Sequence, residues 1–324
     1  MGKFTELVSQ SSFHEWQDAH NTGIGASQIA AVLGESRYGS RLRVWAEKIG
    51  RLEPADLSDN EAVQMGLILE PIVADIYKNR TGRVISQAGT LLRSIQYPWA
   101  ICTPDYWLCG DDGEWNIPLQ IKTTSAYRIA DWAEGPPKGV WWQVQHEMLV
   151  TGAPWASVGV LVGGQRFMWA DVLRDEAAQA RIVEEGSEFW QDVVNRTYPQ
   201  LDGDANSGEA IAALFPTSAE GEQVALPQEA VAWAGDLRRM KSERSYLDDE
   251  VKILESKLKL AIGEAEGGVL HDGSGIFTHK GQSRWSYKPL DGMPRPEQSG
   301  DHVVTIATKT DFRVLRFAEI KGGQ

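Results

Sequence analysis

Ile101-Cys102-Thr103-Pro104-Asp105, followed by Pro118-Leu119-Gln120-Ile121-Lys122, is the stretch on which the fold of this chain turns. The first piece is an apolar run that ends in Pro-Asp, the form of a strand closed by a turn. In the second, strand alternation puts Gln120 and Lys122 on one face and sends Leu119 and Ile121 toward a core. Gln120 follows Asp105 by fifteen residues, and Gly110-Asp111-Asp112-Gly113 between them reads as a hairpin turn. Folded back on that turn, the second strand brings two oxygen donors and an ammonium together. Hard oxygen donors suit Mg²⁺, which keeps several waters and also binds substrate phosphate. A lysine beside it can orient or deprotonate an attacking water and stabilise charge on phosphorus.

Working outward, a helix is expected from about residue 59 to 79, and Glu70 stands in its run Met65-Gly66-Leu67-Ile68-Leu69-Glu70-Pro71-Ile72-Val73. A lone carboxylate among apolar residues needs a cation or a donor if it is buried. A metal ion is one answer, and a structural Arg or Lys is another. Further helices are expected over 27–33, 42–49, 140–151 and 175–195, and strands over 84–92, 100–102, 117–122, 156–162 and 167–172. Gly163-Gly164 turns the last pair into a hairpin. Residues 1–198 therefore read as one α/β unit, a central mixed sheet flanked by helices. Residues 199–226 are rich in Gly, Asp, Ser and Pro and read as a linker. Residues 227–324 read as a long helix with a small β appendage. The helix carries Met240, Leu247, Val251, Leu254, Leu258 and Ala261 at coiled-coil spacing, suited to internal packing or an oligomer contact.

The net charge of −13 is unusual for a protein that touches nucleic acid. DNA binding then requires the Lys and Arg residues to be concentrated in one channel. The two cysteines, Cys102 and Cys109, match no metal-binding spacing and form no disulfide framework. Met1 to Ser11 has no apolar core of a secretory signal, and no apolar run approaches a membrane span, so a reducing cytoplasm is expected.

A set of ordered motifs carries a family likeness. Gly25-Ala26-Ser27, Leu33-Gly34 with Ser36, Leu69-Glu70-Pro71, Thr103-Pro104-Asp105, Gln120-x-Lys122, and Gln143-Val144-Gln145-His146 with Thr151-Gly152 together resemble the YqaJ/lambda-exonuclease family, a branch of the PD-(D/E)xK nucleases. The resemblance covers roughly residues 13–195. It implies the PD-(D/E)xK core and a Mg²⁺-dependent exonuclease, with Mn²⁺ as a substitute, that digests one strand of linear duplex DNA 5′→3′. It further implies assembly as a trimeric ring, a single-strand annealing protein that receives the 3′ tail, and a phage or prophage gene acting in the bacterial cytoplasm. By the same resemblance Glu70, Asp105, position 120 and the Ile121 carbonyl hold the metal. Lys122 is the catalytic lysine, Gln143 supports the site, and Ser27 lies near the phosphate of the DNA end. Ser27 is also a natural helix N-cap, which is compatible with phosphate at the same helix end.

Two positions depart from the pattern. The family's second carboxylate is normally Glu, and Gln120 brings an amide oxygen without charge. Compensating ligands elsewhere and a Glu→Gln replacement both remain open, and Gln120→Glu is expected to tighten metal binding. Where the family often has Trp-x-x-x-Arg, this chain has Trp16 and His20, so His20 takes the place of a phosphate-gripping Arg. The competing readings are another PD-(D/E)xK endonuclease and a catalytically silent adaptor for DNA ends. A Cas4-like enzyme would need four cysteines for its cluster.

Overall fold

The computed structural model describes residues 4–9, 13–54, 57–110, 113–201, 205–217, 221, 223–271, 275–289 and 305–319. In chain order the first part runs β1 Phe4–Ser9, α1 Phe13–His20, β2 Ile24–Gly25, a 3-10 turn at Ala26–Gln28, α2 Ile29–Val32, α3 Arg41–Lys48 and α4 Glu61–Thr81. Next come β3 Ile85–Gln87, β4 Thr90–Ser94, β5 Ala100–Cys102, β6 Tyr106–Cys109, β7 Trp115–Thr124, a second 3-10 segment Ala126–Trp132 and α5 Lys138–Thr151. The hairpin β8 Trp155–Val162 and β9 Arg166–Leu173, α6 Glu176–Asn195 and α7 Ala205–Leu214 complete the first unit, which spans residues 1–220. The second unit, 221–324, holds α8 Ala230–Ile262 and the antiparallel sheet β10 Gly267–Val269, β11 Gly275–Pro289 and β12 Thr305–Glu319.

The first unit is mixed α/β with two mixed sheets, β1-β4-β5-β2 and β3-β6-β7-β8-β9, flanked by helices. β7 and β8 run parallel, so their connection must cross over, and α5 is that crossover. α5 packs on β4, β5, β7 and β8 and so covers strands of both sheets. The chain changes sheet between β5 and β6, across only Thr103, Pro104 and Asp105. β6 and β7 pair antiparallel, Tyr106 opposite Leu119, which lays β7 beside Asp105 as the hairpin reading requires. Asp111 and Asp112 of that turn lie outside the described residues. In the β8–β9 turn Gly163 and Gly164 have φ of 59° and 70°, values that a side chain strains to adopt.

Two expectations are corrected. The single strand over 84–92 is two, β3 and β4, in different sheets, and Gly89 at φ 63° divides them. The stretch 199–226 contains α7, which packs on α3 and buries Ser207 and Ala210. A chain ending at Tyr198 is therefore expected to be less stable than one ending at Glu220 by on the order of 2 kcal/mol, because it uncovers the apolar surface under α7. Urea unfolding of the two fragments measures it. On α4, Val63, Met65, Leu67, Ile68 and Ile72 are exposed, and only Val73, Ala74 and Tyr77 are fully buried. The heptad residues Met240, Leu247, Val251 and Leu254 on α8 are likewise exposed. Among the described residues no helix is long and apolar enough to cross a membrane.

Candidate active site

Asp105 begins where β5 leaves one sheet and β6 enters the other, and the Ile121 backbone N–H donates to its Oδ2 at 2.7 Å. That bond ties the acid to the middle of β7. On β7, Lys122 Nζ donates to Gln120 Oε1 at 2.9 Å, as expected for residues i and i+2 on one face. Ile121 takes the other face with Gly159 and Tyr77 of α4. Gln120 is fully buried all the same, because β7 is a central strand covered on both sides. Glu70 reaches the same place from α4. Burial raises its pKa, repulsion by Asp105 raises it further, and Lys122 opposes both. Asp105 is also raised, chiefly by burial, against Lys122 and the Ile121 N–H. The Gln120 amide lies within electrostatic reach of Asp105, but its Nε2 makes no hydrogen bond of ordinary geometry.

α5 contributes two further groups. Gln143 Nε2 donates to Glu147 Oε1 at 3.1 Å, an i,i+4 pair on one helix face. Glu147 is completely buried, and burial, with repulsion from Asp105, pushes its pKa up to about 8 against Lys122 and Gln143. Next to it on β5 the Cys102 thiol, also buried, is pushed well above the usual cysteine value by burial and by Glu147. Glu70 and Asp105 thus face the Lys122 ammonium, while burial keeps Glu147 mostly in its neutral acid form at pH 7. Among the described residues no three His, Cys, Asp or Glu side chains are gathered closely enough to enclose a metal by themselves. Carboxylates supplemented by amide, backbone carbonyl and water oxygens remain a donor set of the kind Mg²⁺ takes.

Lys122 and Gln143 also line a cleft of about 720 Å³. Its other walls include Ser27, Glu35, Arg37, Tyr38, Arg128, Asp131 and Lys138. Four basic residues (Arg37, Lys122, Arg128, Lys138) stand there against two acids (Glu35, Asp131), on a chain whose net charge is −13. Arg128 is paired with Asp131 and Lys138 with Glu35, while Arg37 makes no ion pair among the described residues. Ser27 is exposed on the cleft, but it is not the N-cap: it sits inside the 3-10 turn, where Gly25 N–H donates to Gln28 Oε1.

His20 is not brought to the cleft. It stacks on Trp16 at 4.8 Å beneath the Gly25 turn, and burial with nearby Lys48 lowers its pKa to about 3, leaving it neutral. Lys48 donates to the His20 carbonyl at 2.7 Å, and burial brings the lysine down to about 7 despite Glu47. A depressed lysine penalises the fold fully below pH 7, and the penalty fades as pH rises from 7 toward the ordinary 10.5. Lys48→Met is therefore expected to raise stability relative to wild type most at pH 6, by on the order of 1–3 kcal/mol, with the difference shrinking toward pH 10. Chemical denaturation at the two pH values reads this, and a pH-independent difference refutes it.

Residues 15–154 match the family model of the YqaJ-like viral recombinase domain. The uncharacterized protein YqaJ of Bacillus subtilis (strain 168) is 27% identical over 316 residues, 96% of each chain. Among solved structures, an alkaline exonuclease (LHK-Exo) from Laribacter hongkongensis is 25% identical, covering 57% of this chain and 94% of that one, with a TM-score of 0.49. A phage-related exonuclease from Haemophilus somnus 129PT is 12% identical, covering 56% and 99%, with a TM-score of 0.39.

Every residue of the cluster and of the cleft wall lies inside the matched segment 15–154. Sequence reasoning missed Glu147 and the basic wall of Arg37, Arg128 and Lys138. A signal for Glu147 existed: it is the one acid in Val144-Gln145-His146-Glu147-Met148-Leu149-Val150, all of which are buried. The neighbouring polar residues of α5 are accounted for by structure. Gln145 Nε2 donates to the Leu173 carbonyl at 2.8 Å, and His146 Nε2 lies 3.2 Å from the Ile101 carbonyl, holding α5 to β5.

Proposed function

We propose that this chain is a divalent-metal-dependent DNA exonuclease that enters at the end of linear duplex and digests one strand. The observation that carries the reading is the meeting of Glu70, Asp105, Gln120 and Lys122 from three elements at the wall of a basic cleft. The recombinase family of the domain supports the same reading. Glu70 and Asp105 would hold Mg²⁺ or Mn²⁺, with Gln120 Oε1 and the Ile121 carbonyl as neutral oxygens. When bound, the cation would polarise the scissile phosphate and offset its charge.

The remaining work falls to the chain. Asp105, fixed by the Ile121 N–H, keeps its carboxylate in place as the substrate arrives. Lys122, held by Gln120, can orient the attacking water, share its proton and stabilise charge on the phosphoryl oxygens. Gln143 is in position to brace the site from α5. Ser27, Arg37, Arg128 and Lys138 can grip the backbone through phosphate contacts that carry no base information. The finer reading is 5′→3′ digestion within a trimeric ring in the bacterial cytoplasm. The 3′ tail would pass to a single-strand annealing protein.

The test is release of nucleotides from linear and from covalently closed duplex, with Mg²⁺ and with chelator. Release from linear DNA alone, abolished by chelator, is the expected result. Cutting of the closed circle would make it an endonuclease, and end binding without any cleavage would make it an adaptor.

A further inference from the structure

We propose that α8 is one strand of an antiparallel coiled coil whose other strand is α8 of a second copy of this chain. α8 runs for 33 residues and buries none of them completely. Trp233, Leu237, Met240, Leu247, Val251 and Leu254, spaced by fours, threes and a seven, are all exposed. At 1.5 Å per residue this seam, carried on to Ala261, is about 40 Å long. An apolar seam of that length gains by packing knobs into the holes of a second helix. In heptad terms Leu237, Arg244, Val251 and Leu258 stand at a, and Trp233, Met240, Leu247, Leu254 and Ala261 at d.

The charges that flank the seam choose the partner and its direction. Lys241, Asp248 and Glu255 stand at e, and Asp236, Glu243, Glu250 and Lys257 at g. In a parallel pair Glu243 would meet Asp248 and Glu250 would meet Glu255, with only Asp236 and Lys241 attracting. In an antiparallel pair of full overlap, e meets e and g meets g. Lys241 then meets Asp248, Asp236 meets Lys257, and only Glu243 and Glu250 repel. A two-fold axis doubles each of these contacts. The same register sets Leu237 on Leu254, Val251 on Met240 and Leu258 on Trp233. Sliding by one heptad in one direction puts Lys241 on Lys241 and Glu243 on Glu243, and sliding in the other leaves Trp233 beyond the end of the partner helix. Arg244 is the single charged residue in the seam, and a polar residue at a narrows the choice of register. The ion pairs along α8 join Arg239 to Asp236 and Glu243, Lys252 to Asp249 and Lys259 to Glu255. Lys241 and Asp248 make no ion pair among the described residues, so both are available to a second copy. None of this depends on the reading of the Asp105 site.

The full chain is tested by sedimentation equilibrium over a concentration series. The samples are wild type, Leu247→Asp, Lys241→Asp, Asp248→Lys and an equimolar mixture of the last two. The three side chains are exposed, and circular dichroism checks that each variant keeps its helix content. An isologous contact uses copies in pairs, so wild type is expected to assemble in an even number. Leu247→Asp puts a charge in the seam and is expected to weaken pairing about a hundredfold or more, halving that number. Lys241→Asp and Asp248→Lys each turn two attractive contacts into repulsive ones and are expected to pair roughly tenfold more weakly. In the mixture both contacts again join opposite charges, and affinity is expected to return to within about threefold of wild type. A wild type of one copy at every concentration overturns the proposal and leaves the seam to a different protein. The same mass for Leu247→Asp and wild type also overturns it, as does a mixture no better than its components. Tighter pairing of Asp248→Lys would mean that the helices run parallel, and the antiparallel coil falls.

Discussion

Asp105→Asn is expected to lower metal-dependent nucleotide release from linear duplex by roughly 10³-fold or more while the fold persists, in line with the loss of a charge that acts on the transition state. Asparagine is the sharper substitution because it can still accept the Ile121 N–H that holds Oδ2 at 2.7 Å. Alanine would leave that N–H without its acceptor, at about 1–3 kcal/mol, and would confuse chemistry with stability. Burial already disfavours the ionised form of Asp105, so removing its charge should not weaken the apo fold. Single-turnover rates at saturating Mg²⁺, together with thermal unfolding without metal, separate the two effects. A variant that cleaves at the wild-type rate would remove Asp105 from the chemistry.

Lys122→Ala is the second large effect, and its signature differs. The rate of strand cleavage is expected to drop by about 10²–10⁴. Divalent-cation binding should hold or tighten, since the substitution removes a positive charge that faces Glu70 and Asp105. Loss of metal binding in Asp105→Asn but not in Lys122→Ala would separate ligand from lysine. Parallel loss in both would mean that the two residues only hold the site together.

What the sequence made legible follows the range of the interactions. Asp105 and Lys122 could be paired because a strand, a turn and a strand of period two are local patterns. Gln120 beside Lys122 follows from the same alternation. Glu147 stayed hidden although Glu70 was singled out by the same reasoning. A helix buried on all sides has no polar face, and periodicity does not say which of its polar residues has found a partner. Gln145 and His146 found theirs on other elements, and that is tertiary information. α7 was missed for a different reason. Its Ala-Asn-Ser-Gly-Glu start resembles a loop, and it is helical because Ala210 and Ser207 pack away from solvent. The coiled-coil spacing of α8 was read as helix correctly, yet its heptad side chains are exposed in the single chain, so spacing did not announce their partner.

The two thiols differ in a way that gives the domain a chemical clock. Cys109 is exposed at the end of β6 and should react with a thiol reagent at once, whereas Cys102 is sealed under α5 with its thiolate disfavoured by burial and by Glu147. After the first thiol is spent, any further labelling must wait for β5 to come away from α5. The slow phase of a simple alkylation time course therefore reports the local opening frequency of the strand that leads into Asp105, in the native protein and without denaturant.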